Sequence, residues 1–402
     1  MSELSYLEKL LDGVEVEWKT LEDITLRTSN IKWREVIRSY RYIDLTSVDI
    51  ATKKITETTE ITKNNAPSRA QKLVDENDVI FATTRPTQQR FCLIDSEYAG
   101  EVASTGYCIL RAKQDQVLPK WILHWISTSD FKKHVEENQS GSAYPAISDS
   151  KVKECLIPIP CPDNPEKSLA IQSEIVRILD KFTELTAELT AELSMRKKQY
   201  NYYRDQLLSF DEEQEKPIYQ EKLLDGVEVE WLPLSDLARI RNGKDHKSLS
   251  EGEFPVYGSG GIMRYVDTYA YNKPSVLIPR KGSLGNLFFI DVPFWTVDTI
   301  FYTEIDEAQI RPKYLYYFLT TVGLGEMNQA GGVPSQTQSV LNKLKIPIPC
   351  PDNPEKSLAI QSEIVRILDK FDTLTNSITE GLPREIELRQ KQYEYYRDLL
   401  FS

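Results

Sequence analysis

The sequence is poor in the residues that build disulfide frameworks and zinc sites. Its 402 residues include five cysteines and three histidines, with no C-x-x-C pair and no Cys/His spacing typical of zinc ligands. We therefore expect neither a disulfide nor a bound metal, and small, partly buried cysteines in a reducing cytoplasm. The chain also has no apolar run of 18 or more residues and no basic-then-apolar leader, so the sequence predicts neither a membrane protein nor a secreted one.

Recognisable catalytic motifs are also scarce. The chain has no G-x-x-x-x-G-K-[ST] loop, and the glycines of 257–261 lack the spacing of a dinucleotide-binding loop. Asp291–Phe294 only partly matches an amino-methyltransferase motif, so a turn is the simpler interpretation. Asp12 with Glu17–Lys19 fits a nuclease D…E-x-K pattern, but the second copy of that segment has Leu232 in place of the lysine. With three histidines, no Ser/His/Asp set can be assembled, and we predict no catalytic residue.

The sequence contains a long internal repeat. IPIPCPDNPEKSLAIQSEIVRILDKF spans residues 157–182 and recurs unchanged at 346–371. Each copy continues to a similar ending, RKKQYNYYRDQLL at 196–208 and RQKQYEYYRDLL at 389–400, and the spacer before the second ending is four residues longer. The chain therefore carries two copies of one scaffold element.

A shorter repeat extends this pattern around the chain. EKLLDGVEVEW at 8–18 recurs at 221–231, so the central block equals the C-terminal block followed by the N-terminal one. This circular order predicts two halves related by a pseudo-twofold axis, with neighbouring termini. The predicted domains are an N-terminal repeat piece (1–18), a first variable domain (19–156), a central helix (157–231), a second variable domain (232–345) and a C-terminal helix (346–402).

The repeats have the pattern of long helices. Asn164-Pro165 and Asn353-Pro354 fit an N-cap followed by proline. A helix from 165 to 208 would be about 60–65 Å long; we expect the second copy to cover it as an antiparallel partner, with a break near 381–383. Apolar residues recur every three or four positions, as in a coiled coil, and we call this set the apolar stripe: Ile171, Ile175, Ile178, Phe182, Leu185, Leu189, Leu193, Ile360, Ile364, Ile367 and Phe371.

The two variable segments predict domains of mixed α/β structure. Each runs through strands, then a helix, then a glycine-rich loop, at 141–148 or 330–339, before its IPIP entry to the long helix. The same order with different residues suggests one fold that presents two different faces, and the whole chain is predicted to be α+β. Strand-like runs lie at 73–86, 98–112, 255–262, 274–290 and 294–305, and helical runs at 121–128 and 313–321.

The net charge of −12 is unevenly distributed. The repeats carry −14 and the two variable segments +2, and residues 27–90 have 12 Lys+Arg against 8 Asp+Glu. Local basic surface is what phosphate binding requires, whatever the total charge. The acidic total therefore does not exclude a nucleic-acid partner.

Two clusters of polar and basic residues follow strands in the variable segments. Thr83–Arg90 combines arginine, which pairs with guanine, and glutamine, which pairs with adenine, and Arg280–Ser283 is the corresponding stretch of the second segment. Any one such residue more often forms only solvated surface, but the two sets together favour DNA contact. The candidate DNA-binding residues are Arg34, Arg38, Arg41, Arg69, Thr83, Thr84, Arg85, Gln88, Gln89, Arg90, Ser142, Tyr144, Lys244, Lys247, Tyr257, Ser259, Arg280, Lys281, Ser283 and Gln336.

These residues resemble a known family, the specificity (S) subunits of type I restriction–modification systems. The resemblance covers nearly the whole chain and rests on two unlike recognition segments, each followed by the I-P-I-P…I-Q-x-E-I-V-x-I-L helix and the Y-x-Y-Y-R-D ending. FATTRPT, EVASTGYCILRA, PVYGSGG and IPRKGS add to it. The tandem Thr-Ala-Glu-Leu in LTAELTAEL, at 185–193, resembles the type IC subfamily, in which such repeats lie between the halves.

The resemblance implies a non-catalytic subunit that reads double-stranded DNA. Each variable segment would be a target-recognition domain for one half of a split, asymmetric target in the major groove. The apolar stripe would form the spacer and dock two methyltransferase (M) subunits, followed by two restriction/translocase (R) subunits. S-adenosylmethionine, ATP and Mg²⁺ would belong to those partners. The alternatives are a nuclease or methyltransferase acting alone, and a coiled-coil interaction protein without DNA specificity.

Overall fold

The structure, a computed structural model, describes residues 13–210, 227–327 and 333–402. The start of the N-terminal repeat piece with Asp12, residues 211–226 of the central repeat and the first part of the loop at 330–339 lie outside the described residues. The chain divides into two compact units: unit 1 comprises Met1–Thr190 with Glu385–Ser402, and unit 2 comprises Ala191–Arg384.

Unit 1 contains the first variable segment, folded as sheets and short helices. Its two four-stranded sheets have the orders β2-β9-β6-β7 and β4-β3-β8-β5, and β1 pairs with β10. The strands are β1 (Val16–Thr20), β2 (Thr25–Leu26), β3 (Tyr40–Ile43), β4 (Thr59–Ile61), β5 (Ala70–Leu73), β6 (Val79–Ala82), β7 (Phe91–Leu93), β8 (Val102–Ser104), β9 (Tyr107–Ala112) and β10 (Leu156–Pro160). The helices are α1 (Pro119–Trp125), α2 (Ser129–Asn138) and α3 (Asp149–Lys153), with 3-10 turns at Trp33–Glu35, Leu45–Ser47 and Pro86–Gln88.

The long helices of the repeats are α4 (Pro165–Leu208), α8 (Pro354–Asn376) and α9 (Gly381–Phe401). The bounds of α4 match the predicted helix. The predicted break in the second copy is confirmed, and it falls immediately before Gly381. That residue has φ +76°, and a Cβ there would lie 2.4 Å from the Thr373 carbonyl oxygen, so glycine suits this turn.

Unit 2 contains the second variable segment. Its four-stranded sheet has the order β12-β18-β15-β16, its three-stranded sheet the order β14-β13-β17, and β11 pairs with β19. The strands are β11 (Val229–Pro233), β12 (Ala238–Asn242), β13 (Phe254–Gly258), β14 (Gly261–Val266), β15 (Ser275–Pro279), β16 (Phe288–Ile290), β17 (Trp295–Thr296), β18 (Ile300–Ile305) and β19 (Lys345–Pro349). The helices are α5 (Leu234–Leu237), α6 (Pro312–Thr321) and α7 (Gln338–Leu341), with a 3-10 turn at Leu324–Glu326.

The two units share one topology despite their different variable sequences. β9 and β6 occupy the two central positions of the first sheet, as β18 and β15 do in unit 2, and β3 is parallel to β8 as β13 is to β17. The repeated strands pair in the same register, Val16 opposite Pro160 and Val229 opposite Pro349. The four-stranded sheet of unit 2 therefore matches one sheet of unit 1, while its second sheet has three strands where that of unit 1 has four. The mixed sheets and long helices confirm the predicted fold class.

All five cysteines are free thiols. Burial raises the pKa of the Cys92, Cys108 and Cys155 thiols to about 12, so they are protonated at neutral pH. Cys161 and Cys350 are partly exposed. In their packing the cysteines behave as small apolar side chains.

Candidate nucleic-acid interface

The candidate loop of unit 1 is assembled from two segments that are distant in sequence. The chain leaves β6 at Thr83 and meets the glycine-rich loop that precedes α3. The Arg85 amide donates to the Pro145 carbonyl at 2.7 Å, and the Ile147 amide donates to the Thr83 carbonyl at 2.9 Å. Sequence reasoning proposed both segments but could not show that they are hydrogen-bonded to each other.

Arg85 and Tyr144 meet at the surface of this loop pair. The Arg85 guanidinium carbon lies 5.3 Å from the centre of the Tyr144 ring, and the tyrosine side chain is 71% exposed. Arg85 itself has φ +49°, in the left-handed region. Ser142 and Gln88 are also exposed, so several polar side chains of this loop pair face solvent.

Unit 2 builds the same loop pair from different residues. The Gly282 amide donates to the Pro334 carbonyl at 2.8 Å, and the Gln336 amide donates to the Arg280 carbonyl at 3.0 Å. Thr84 forms an isolated bridge with Ala146, and Lys281 forms one with Ser335. Position by position, Arg280 therefore corresponds to Thr83, Lys281 to Thr84, and Gly282 to Arg85.

Two of the candidate residues are buried within the loop pairs. Thr83 is 7% exposed and its hydroxyl donates to the Gly106 carbonyl at 2.9 Å. Gln336 is 2% exposed, and its amide nitrogen donates to the Pro279 carbonyl. These side chains brace the turns. Gln89 is half-buried, and its carbonyl accepts from the Lys53 ammonium.

Several candidate arginines of unit 1 already have partners. The Arg38 guanidinium lies 3.6 Å from the Glu101 carboxylate and donates to the Gly100 carbonyl at 2.7 Å. Arg41 donates to the Glu97 carboxylate at 2.8 Å. Arg90 donates to the Val48 carbonyl at 2.6 Å, so part of the local positive charge is tied up within the unit. Arg34 and Arg69 are exposed.

The remaining candidates of unit 2 lie on β13 or in loops. The Ser259 amide donates to the Thr299 hydroxyl at 3.2 Å, and its carbonyl accepts from the Asn286 side chain at 3.3 Å. The Lys281 ammonium lies 3.6 Å from the Asp298 carboxylate. Sequence reasoning missed Asn286 and Asp298. Tyr257 is 8% exposed, whereas Lys244, Lys247 and Ser283 are exposed.

Comparison with known proteins agrees with this architecture. The family model of the type I restriction modification DNA specificity domain matches residues 15–195 and 226–388. The chain belongs to this family. Among curated relatives, it is 40% identical to the type I restriction enzyme EcoR124I/EcoR124II specificity subunit of Escherichia coli, over 100% of this chain and 98% of the relative. It is 35% identical to the EcoprrI specificity subunit of Escherichia coli, over 94% and 93%.

Solved structures share the fold of this specificity subunit. One, described under the structural basis of complex assembly and conformational transition of the type I R-M system, matches with a TM-score of 0.66 at 19% identity, over 96% of this chain and 97% of that one. The type I restriction–modification S subunit from M. genitalium matches with a TM-score of 0.59 at 19% identity, over 97% of both chains. Specificity subunits are non-catalytic, so the chain is not itself an enzyme and the single-chain enzyme alternative is excluded. Within 13–210, 227–327 and 333–402, no helix has the length and apolarity needed to span a membrane.

In each unit of the specificity subunit, equivalent hydrogen bonds attach a long helix to the variable segment. In unit 1 the fully buried Gln172 side chain accepts from the Leu118 amide at 2.9 Å and donates to the Gln116 carbonyl at 3.0 Å. In unit 2 Gln361 accepts from the Arg311 amide at 2.7 Å and donates to the Gln309 carbonyl at 3.1 Å. Each variable segment is thus fixed to the first turns of a long helix by the same amide side chain.

The apolar stripe divides into two environments. Ile171, Ile175 and Ile178 are at most 5% exposed and belong to the core of unit 1, and Ile360 and Ile364 are buried in the core of unit 2. These residues lie inside each unit's own core, out of reach of a separate subunit. Phe182, Leu189 and Leu193 are half-buried and Leu185 is exposed.

Two stripe residues line an open groove of unit 2. Ile367 and Phe371 of α8 line a cavity of about 580 Å³ together with Tyr203 and Leu207 of α4. Lys370 stands at its side and is exposed. The groove thus combines apolar side chains with a positive charge.

Proposed function

We propose that this specificity subunit reads a bipartite, asymmetric double-stranded DNA target, with one half assigned to each unit. The observation that carries the proposal is the pair of corresponding loops, which share their backbone hydrogen bonds and differ in their side chains. A common scaffold with different exposed groups suits two modules that dock alike and read different bases. The major groove is the expected surface, because there each base pair presents its own donor and acceptor pattern.

The distribution of charge supports the same function. Basic and amide side chains occur within the loop pairs, while the acidic excess lies in the repeats. Phosphate contacts would position each unit, and the loop side chains would then read base edges. The neutralised Arg38 and Arg41 fit a supporting role, whereas Arg85 and Arg280 are the expected readers.

We assign the repeated helices to subunit assembly. Two methyltransferase subunits need two equivalent docking surfaces, and the duplicated contacts of Gln172 and Gln361 show how faithfully the scaffold repeats. The groove beside Phe371 is the candidate docking surface of unit 2. Two restriction/translocase subunits would complete the complex, with S-adenosylmethionine, ATP and Mg²⁺ bound by the partners.

The decisive experiment selects DNA from a random double-stranded pool with the chain in complex with its methyltransferase partner. We expect enrichment of a two-part motif with an unread gap. Arg85→Ala is expected to relax the first half-site only, and Arg280→Ala the second only. Loss of preference in both halves by either variant would disprove the division of labour.

The same experiment tests the remaining alternative. A coiled-coil interaction protein without DNA specificity would enrich no motif. Native mass measurement of the purified complex then counts the docked subunits. Two methyltransferase copies per chain are expected, and a single copy would contradict the duplicated docking surface.

A further inference from the structure

The two loops match in their backbone hydrogen bonds, but one position holds an arginine in unit 1 and a glycine in unit 2. Arg85 of unit 1 and Gly282 of unit 2 donate from equivalent amides to equivalent prolines, at 2.7 and 2.8 Å. Both residues have positive φ, +49° for Arg85 and +84° for Gly282. The turn therefore requires a residue with a left-handed backbone conformation at this position, but it does not require a side chain there.

An arginine in this conformation is strained, whereas a glycine is not. Backbone strain of this kind concentrates at functional sites, where a side chain must stand in one direction. The surrounding hydrogen bonds hold Arg85 in place: its carbonyl accepts from the Gln88 amide at 3.0 Å, and Pro86 beside it is buried. The side chain projects to solvent from a fixed backbone.

The Arg85 guanidinium also differs from other candidate basic side chains in what it contacts. Arg38 and Arg41 are engaged by Glu101 and Glu97, and Lys281 faces Asp298. Across the described ranges no carboxylate pairs with Arg85; its neighbour is the face of Tyr144, at 5.3 Å. Stacking on an aromatic ring leaves the donors of a guanidinium at its edge available.

In the second unit this pair has no counterpart. Gly282 provides no side chain, and Val333, which precedes Pro334 as Tyr144 precedes Pro145, is 70% exposed. A Cβ at Gly282 would lie 3.3 Å from the Ser259 hydroxyl. Ser259 therefore occupies the space that a side chain at position 282 would enter. In the turn of unit 2, the basic residues Arg280 and Lys281 precede the position that corresponds to Arg85.

We propose, resting on the function proposed above, that Arg85 is the base-reading residue of the first half-site and that Tyr144 is its positioning residue. Arg85 donates in bidentate fashion to O6 and N7 of one guanine in the major groove, the geometry that an arginine fork fits. Tyr144 holds the guanidinium extended before DNA arrives. The second half-site is read from a different part of the turn.

The test uses Arg85→Gly, because Gly282 makes the same turn in unit 2. The complex with the methyltransferase partner is selected on a random double-stranded DNA pool, and thermal unfolding is measured in parallel. We expect an unfolding temperature equal to or above that of the wild type, since strain is removed. Preference for one G·C pair in the first half-site falls by about 10- to 100-fold, and the second half-site is unchanged.

Two further substitutions separate reading from positioning. Arg85→Lys keeps the charge without the fork, so non-specific affinity persists while the guanine preference is largely lost. Tyr144→Ala reduces preference at the same base pair by about two- to five-fold, and Tyr144→Phe retains it.

Three outcomes would overturn this assignment. The first is that Arg85→Gly weakens binding to all sequences alike and lowers the salt dependence, which marks a phosphate contact. The second is that Tyr144→Ala changes the preference at a different base pair, which marks a base contact of its own. The third is a lower unfolding temperature for Arg85→Gly, which marks a structural role. A wild-type complex that enriches no two-part motif contradicts the proposed function itself, so the two failures are distinguishable.

Discussion

Phe182 stacks on Tyr396, with ring centroids 5.5 Å apart and ring planes 23° apart. Phe182 ends the first long repeat, and Tyr396 belongs to the ending of the second. In unit 2 the corresponding residues, Phe371 and Tyr203, stack at 5.5 Å and 27°. In each unit, the first part of one repeat therefore packs against the ending of the other repeat. This arrangement explains why the repeats occur in circular order.

The stack predicts a measurable coupling inside unit 1. Phe182→Ala and Tyr396→Ala should each lower the free energy of unfolding by about 1–3 kcal/mol, because both remove a half-buried ring. A double-mutant cycle should give a coupling of about 1 kcal/mol, the usual value for an aromatic pair. Chemical denaturation measures it. Combining Phe182→Ala with Tyr203→Ala, which do not stack together, is the control and should give additive losses.

The long helices could be predicted from the sequence because they depend on local signals. The proline starts and the three-four spacing located α4, and the glycine-proline pair located the break before α9. Apolar runs bounded by turn residues located β6, β8, β9, β13, β15, β16, β17 and β18, but the sequence analysis did not identify β1 to β4, β7 or β10 to β12. The periodicity of apolar residues is a local property of the sequence, so it can be recognised without knowledge of any long-range contact.

The sequence could not predict which candidate residues reach solvent. Thr83 and Gln336 are buried, and their side chains bond to the carbonyls of Gly106 and Pro279, which lie 23 and 57 residues away along the chain. Arg41 is engaged by Glu97, 56 residues away. The comparison of Arg280–Ser283 with Thr83–Arg90 identified the right turn without its register. Only the hydrogen bonds to Pro145 and Pro334 align Arg280 with Thr83 and Gly282 with Arg85.

Lys53 predicts a pH dependence for unit 1. Burial lowers the pKa of its ammonium to about 8, where it lies 4.3 Å from the Phe91 ring centre and donates to the Gln89 carbonyl. Its pKa in the unfolded chain is the ordinary one, so between about pH 8 and pH 10.5 the unfolded state binds more protons than the folded state. This difference makes the lysine's contribution to stability rise with pH across that range.

Lys53→Met is expected to remove this contribution. Above pH 8, the slope of the unfolding free energy against pH should fall by the amount that corresponds to up to one bound proton. Urea denaturation at several pH values measures this slope. Lys54→Met, one residue along the chain, should leave the slope much nearer that of the wild type. Equal slopes for the wild type and Lys53→Met would contradict the lowered pKa.

The tandem LTAELTAEL predicts the length of the unread gap in the DNA target. Leu185–Leu193 lies within the continuous helix α4, and each four-residue copy accounts for about 6 Å of helix. If the helix sets the distance between half-sites, deleting Thr190–Leu193 should shorten the gap by about one to two base pairs. Both half-site sequences should be unchanged.

Methylation of DNA duplexes that differ only in gap length measures this shift. Replacing Thr190–Leu193 with four alanines keeps the length of the helix and should keep the wild-type gap. A deletion variant that prefers the original gap would show that the tandem is a solvated stretch of helix without a measuring role.

Gln172 and Gln361 predict a matched pair of stability effects. Both side chains are fully buried, and each bonds the chain just before a helix of its own unit, through the amide of Leu118 or of Arg311. Substitution by alanine leaves a backbone amide and a carbonyl without partners, which should cost about 2–4 kcal/mol. Gln172→Ala should lower protection from hydrogen exchange in α1 and leave α6 unchanged.

Gln361→Ala should have the reverse effect, with α6 losing protection and α1 keeping it. Hydrogen exchange followed by mass spectrometry resolves the two helices separately, so each variant serves as the control for the other. Equal loss in α1 and α6 from a single substitution would mean that the two units do not unfold independently. Selective loss would identify each glutamine as the attachment of one recognition domain to its long helix, and reading of the corresponding half-site alone should then weaken.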